Sequence, residues 1–159
     1  MSTTTEPLTD SALAGRIQDF LNRFKDTEGV HKYVDAVDAM MPKGAKHIII
    51  DYNDLIFEQE IVGVLSEDPD RAFEAFSTAI RKVLRLRFPE YAEKVGDEIR
   101  ARLVNYPLQR SLRQITADTI GRITSVSGMV VRASEVKPLA KLLIYTCPDG
   151  HPNEIVQIK

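Results

Sequence analysis

The chain lacks most of what an enzyme of its size would need. It has one cysteine in 159 residues, so no internal disulfide can form, which fits a reducing compartment such as the cytosol. No run of eighteen apolar residues is present, which excludes an α-helical membrane span. The opening Met1-Ser-Thr-Thr-Thr-Glu-Pro7 has neither a basic start nor an apolar centre, so it does not read as a secretory signal. No Gly-x-x-x-x-Gly-Lys motif followed by serine or threonine occurs, so nothing is set to cradle ATP phosphates or place magnesium. Gly-x-Ser-x-Gly and His-Glu-x-x-His are also missing. His31 and His47 stand alone, as surface or packed side chains. Asp51 and Asp54 are explained by a strand end followed by a helix cap.

What is present is ordinary in amount and uneven in placement. Apolar residues make up 43% and charged residues 28%, a globular balance. The net charge of −2 conceals two opposite halves. Residues 1–79 carry 7 basic and 15 acidic side chains, and residues 80–159 carry 14 basic and 8 acidic ones. An acidic half joined to a basic half points to a polyanionic partner for the second.

The first half reads as helices. Leu13, Ile17, Phe20, Leu21 and Phe24 recur at helical spacing, with Thr9 or Asp10 as N-cap. Gly29 marks a break. Tyr33, Val34, Val37 and Met40 or Met41 form a second stripe, closed by Pro42 and Gly44. His47-Ile-Ile-Ile-Asp-Tyr52 is a β-branched run that predicts a strand, buried on both faces or lying at an edge. Phe57, Ile61, Val64 and Leu65 predict a third helix. Asp68 and Pro69 then cap and open a fourth and longest one. Its buried stripe is Phe73, Phe76, Ile80, Val83 and Leu84, and Pro89 ends it. Arg81, Lys82, Arg85 and Arg87 crowd its last two turns, where they favour the helix macrodipole.

The second half reads as β structure. Ile99, Ala101 and Leu103 alternate with Arg100, Arg102 and Val104, the period of a half-exposed strand. Thr116 caps one helical turn that Gly121 ends. Arg122 to Ser134 reads as a long strand with Gly128 as a bulge or bend. Lys141 to Thr146 and a final alternation to Lys159 predict further strands around the turn Cys147-Pro-Asp-Gly-His151. Between 99 and 141 stand Arg100, Arg102, Arg110, Arg113, Arg122, Arg132, Lys137 and Lys141 against Asp118 and Glu135 alone. Such a grouping favours phosphate binding that depends strongly on salt. From 97 onward the aromatics are only Tyr106 and Tyr145, so gripping of the backbone is expected more than base stacking.

Several blocks carry a resemblance: Phe20-Leu-x-x-Phe24, Lys32-Tyr33, Ile48-Ile-Ile-Asp-Tyr52, Arg100-x-x-Leu-Val-Asn-Tyr-Pro107, Leu112-Arg-Gln-Ile115, Asp118-x-Ile-Gly-Arg-Ile123 and Ser127-Gly-Met-Val-Val-Arg-Ala-Ser-Glu-Val-Lys-Pro138. The last is the most specific. Together they resemble the N-terminal region of archaeal-type minichromosome maintenance (MCM) replicative helicases over nearly the whole chain.

The resemblance implies an α+β fold: a disordered lead over 1–7, a helical subdomain over 8–94 with four helices and one short strand, and a partial OB-fold barrel over 97–159. That last part would include the truncated start of a zinc-binding insertion. Proteins of this kind are ATP-driven DNA helicases that form ring hexamers. The implied DNA contacts are Arg132 and Lys137, with Arg122 and Lys141 beside them. Cys147 and His151 match the first pair of zinc ligands, and zinc belongs to the full-length parent. ATP and magnesium belong to a motor expected beyond residue 159. The expected partners are single-stranded and double-stranded DNA, further copies of the chain and other replication proteins, with no membrane. The expected location is cytoplasmic and nucleoid-associated. The competing reading is a protein-interaction or oligomerisation module with little DNA binding of its own.

Overall fold

The computed structural model describes residues 9–137, 142–145 and 154–157, and these fall into two units, one reaching Gly128 and one starting at Met129. The first unit opens with helix α1, Asp10–Arg23, whose N-cap Thr9 accepts a hydrogen bond at Oγ1 from the backbone N–H of Ala12 at 3.3 Å. Helix α2, Lys32–Asp38, and the single turn α3, Met40–Lys43, follow; Gly44 closes that turn at φ 60°, a left-handed conformation that costs glycine little. Strand β1, His47–Asp51, leads through the turn α4, Tyr52–Leu55, to helices α5, Gln59–Glu67, and α6, Pro69–Arg87. Asp68 caps α6 by accepting from the Arg71 N–H at 3.1 Å, and Pro69 occupies the first turn, where its missing N–H costs nothing. Helix α7, Pro89–Val95, completes the helical set.

Helix α6 is the spine. It packs along α1, α5 and α7. Its buried Phe76, Ile80, Val83 and Leu84 join Leu13, Ile17, Leu21, Tyr33, Ile61 and Leu65 in one core. Strand β1 pairs in parallel with β2, Arg100–Val104, with Ile48 opposite Ala101 and Ile50 opposite Leu103. These four face the core, while Ile49, Arg102 and Val104 face out. Short strands β3, Gln109–Arg110, and β4, Ser125–Val126, also pair in parallel. In the second unit β5, Leu142–Tyr145, and β6, Glu154–Gln157, pair antiparallel.

Three of the resembling blocks meet where α2 begins and β1 and β2 end. The buried Tyr33 hydroxyl donates to Asp54 Oδ2 at 2.6 Å and accepts from the Asp51 N–H at 3.1 Å. Lys32 Nζ reaches the same Asp54 oxygen at 2.6 Å. Asp51 caps α4 through the Asn53 N–H at 3.0 Å, and its other oxygen accepts from Asn105 Nδ2 at 2.7 Å. Asn105 sits at φ 59°, a conformation that asparagine tolerates better than most side chains. Tyr52 and Tyr106 stack edge to face, 5.1 Å apart. This network fixes where the chain leaves the helical part and enters the β part.

Several expectations need correction. Pro89 ends α6 and also opens α7, because a proline that cannot continue one helix suits the first turn of the next. The four expected helices therefore become seven α-helical segments among the described residues. Of the two readings of β1, the edge strand holds: it lies in a two-stranded sheet and buries one face only, since Ile49 is 54% exposed. Phe57 lies before α5, not in it, and is 90% exposed. The expected strand from Arg122 to Ser134 is reduced to Ser125–Val126. A strand persists only where a neighbour takes its hydrogen bonds, and no described strand pairs with residues 127–134. Pro42 falls inside α3, and Met40, not Met41, is the buried methionine of that stripe.

Candidate nucleic-acid interface

The β part of the first unit is assembled from turns. Ser111 and Gln114 bracket the 3-10 turn Leu112–Gln114 in capping-box positions: the Gln114 N–H donates to the Ser111 carbonyl at 2.9 Å, and Gln114 Oε1 accepts from the Ser111 N–H at 2.9 Å. The second bond satisfies a donor that the turn itself leaves open. A second 3-10 turn, Ala117–Thr119, follows, and Gly121 leaves it at φ 75°. Thr116 does not cap this turn through its side chain, as its spacing suggested. Its hydroxyl bonds the Asp118 carboxylate instead. That bond first, and Arg110 more weakly, hold Asp118 below the usual carboxylate range. Arg110 Nη1 lies 3.6 Å from Asp118 Oδ2.

Beside this pair is an open cleft lined by Gln109, Arg110, Gln114 and Thr116. Gln109 Nε2 donates to Ser127 Oγ at 3.0 Å. A side chain at Gly128 would place its Cβ 3.2 Å from Leu112 Cδ1, so the missing Cβ lets the chain pass close over that leucine.

Ion pairs are commoner in the helical part than in the β part, although Arg23, Lys25, Lys43, Lys82, Arg85 and Lys94 pair with no acid among the described residues. In the helical part Arg16 pairs with Glu60 at 2.7 Å, Lys32 with Asp54 and Arg71 with Asp10 at 2.6 Å. Lys46 pairs with Glu98, Arg87 with Asp38, and Arg81 with both Glu74 and Asp97. The basic residues at the end of α6 are thus partly consumed by the fold. In the β part Arg100 donates to the carbonyls of Asp97 and Ile99, and Arg110 is held by Asp118. Arg102, Arg113, Arg122, Arg132 and Lys137 are exposed and pair with no acid among the described residues.

Of the residues singled out for DNA, Arg122 lies just after the glycine turn of the first unit. Arg132 and Lys137 share an irregular, exposed segment of the second. Five residues apart, they are separated by at most about 17 Å. Lys141, Cys147 and His151 lie outside the described residues. Among the described residues no cluster of three or more His, Cys, Asp or Glu side chains could hold a metal ion. No described helix is long and apolar enough to cross a membrane. Two features were missed in the sequence. One is the Tyr33–Asp54–Lys32 network, which nothing local announces. The other is the amide-lined cleft, whose only signal is the Ser111-x-x-Gln114 capping pattern.

Comparison with known proteins identifies two family models that match the chain. A family model of the MCM N-terminal domain matches residues 14–105, and one of the MCM OB domain matches residues 111–159. DNA replication licensing factor Mcm2 of Drosophila melanogaster is 27% identical over 136 residues, covering 85% of this chain and 15% of that protein. DNA replication licensing factor mcm7 of Xenopus tropicalis is 31% identical over 134 residues, 84% of this chain and 15% of that protein. DNA helicase MCM8 of Xenopus tropicalis is 26% identical over 131 residues, 69% of this chain and 15% of that protein. The chain thus spans about 15% of the length of these relatives. By these matches the chain belongs to the MCM family and carries the family's N-terminal domain followed by its OB domain.

Proposed function

We propose that this chain is the DNA-holding and subunit-assembly module of a hexameric, ATP-dependent replicative helicase, and that it grips the backbone of single-stranded DNA inside the ring. The observation that carries the reading is the set of uncommitted cations. Arg122, Arg132 and Lys137 are exposed and pair with no acid among the described residues, in a part of the chain with little aromatic surface. Phosphate oxygens are the natural partners of such side chains, and each contact releases condensed counterions. Several copies around one channel would hold one strand together, so weak single contacts would add into a firm grip. The names of the relatives, replication licensing factors and a DNA helicase, support the same process. Translocation would belong to a motor outside this chain.

The assembly half of the proposal rests on a separate observation. Ile56 and Phe57 form an exposed apolar tip between α4 and α5, and Leu86 is exposed near the end of α6. Exposed aromatic and aliphatic side chains of this kind are common anchors at protein interfaces.

The test is fluorescence anisotropy of labelled single-stranded DNA at several salt concentrations, with an Arg132→Ala/Lys137→Ala double variant beside the parent chain. Binding that weakens with salt, and a slope that drops by about 1.4 in the variant for two lost contacts, is expected. Binding indifferent to both substitutions would sink the DNA-gripping reading and leave the assembly module.

A further inference from the structure

The cleft of Gln109, Arg110, Gln114 and Thr116 is not used by a backbone grip. Its groups have the wrong character for phosphate. Among the described residues Arg110 is the only cation lining it, and Asp118 offsets that charge from 3.6 Å, so the cleft offers an anion little net attraction. What it offers is a mixed hydrogen-bonding wall. The Ser111 N–H fixes Gln114 Oε1 as acceptor, so the two N–H donors of that amide remain to be used. Gln109 gives its amide nitrogen to Ser127, which leaves its carbonyl oxygen as an acceptor. The Arg110 guanidinium is planar, and Asp118 lies 3.6 Å from it on one side. Donors and acceptors beside a guanidinium plane suit an unstacked base, which is recognised by stacking on arginine planes and by edge hydrogen bonds.

We propose that this cleft seats one nucleobase of the bound single strand, with Arg110 as the stacking surface and Gln114 and Gln109 reading its edge. The inference deepens the function proposed above and rests on it. It also explains how a β part short of aromatics could hold bases as well as phosphates, and why one arginine of the basic set is neutralised within the chain while others are left open.

Gln114→Glu is the discriminating variant. Glutamate serves the capping box as well as glutamine does, so the turn is retained while the amide donors are lost. Binding is measured by anisotropy with a single-stranded oligonucleotide and with an abasic one of equal length and charge. The parent chain is expected to prefer the base-containing strand by at least about fivefold, the lower end of what one stacked base gives. Gln114→Glu adds a negative charge that weakens both strands alike, so its specific mark is a fall in the ratio between them. Arg110→Lys keeps the charge but loses the plane, and is expected to lower the same ratio with little change for the abasic strand. Circular dichroism on both variants checks that the fold is intact. A parent ratio near one, or a ratio unmoved by both substitutions, overturns the base seat. If Arg132→Ala/Lys137→Ala still weakens both strands in that case, the backbone grip survives. A parent chain that binds neither strand overturns both readings together.

Discussion

Between Leu13 and Ile99 the chain buries its large apolar side chains in one core and matches most of its arginines with acids. Between Arg100 and Lys137 it does neither. No residue there is buried, Ile120 is 82% exposed and Val131 90% exposed, and only Arg110 of its cations pairs with a described acid. The first region satisfies most of its interactions internally, with Ile56, Phe57 and Leu86 as exposed exceptions. The second keeps them available, and of two kinds: cations that suit phosphate, and apolar side chains that suit protein. A module of the proposed kind, which grips a strand and joins neighbours, would draw on both.

The sharpest way to break this contrast is to truncate large apolar side chains on each side of it. Phe76→Ala, in the middle of α6 and buried, is expected to cost about 3–5 kcal/mol in urea unfolding followed by circular dichroism. Ile120→Ala or Val131→Ala is expected to stay within about 0.5 kcal/mol. A large loss at Val131 would mean that the exposed segment is packed in solution, and the two regions would no longer differ in kind.

Next in size is the polar network that joins the regions. Tyr33→Phe leaves the Asp51 N–H without its acceptor and takes one partner from Asp54, which should cost about 1–3 kcal/mol. The network also has a pH signature. Burial first, and then the hydrogen bond to Asp54, push the Tyr33 phenol above its ordinary value. The folded state therefore favours the protonated phenol. Its contribution is fully present below the unfolded tyrosine value of about 10 and is lost as pH rises above it. Thermal unfolding between neutral pH and pH 11 should show stability falling at the alkaline end. Tyr33→Phe should flatten that fall, and an equal fall in the variant would assign it to other groups.

How much of this was legible beforehand depends on whether the cause is local. A cap for α1 at Thr9 or Asp10, Asp68 and Pro69 at the head of α6, and the alternation of β2 were all readable, because capping and periodicity act over a few residues. Met40 could not be told from Met41, because the break between α2 and α3 sets which one turns inward. Phe57 stands four residues before Ile61, a spacing that imitates a helical stripe, but α5 begins only at Gln59. The run from Arg122 to Ser134 has the β-branched character of a strand, yet its pairing is a property of neighbours that local pattern does not contain. The parallel match of His47–Asp51 with Arg100–Val104 spans about fifty residues and is invisible to any window. At the site, exposure of Arg122, Arg132 and Lys137 followed from their polar character, whereas capture of Arg110 by Asp118 required the turn that brings them together.

The smallest expected effect tests the contrast in charge from its quiet side. Arg81 bridges Glu74 and Asp97, and its guanidinium is already committed. Arg81→Ala should therefore lower stability by about 0.5–1 kcal/mol, as an ion pair near the surface does, and leave single-strand affinity and its salt slope unchanged. Arg122→Ala should do the reverse: no measurable loss of stability, and a salt slope smaller by about 0.7 for one lost contact. The two substitutions remove the same charge from the same chain, so net charge alone predicts equal effects on DNA binding. If Arg81→Ala weakens binding as much as Arg122→Ala, long-range charge governs the grip and the pairing of cations with acids carries no functional meaning. If only Arg122→Ala weakens it, the uncommitted cations are the contact surface.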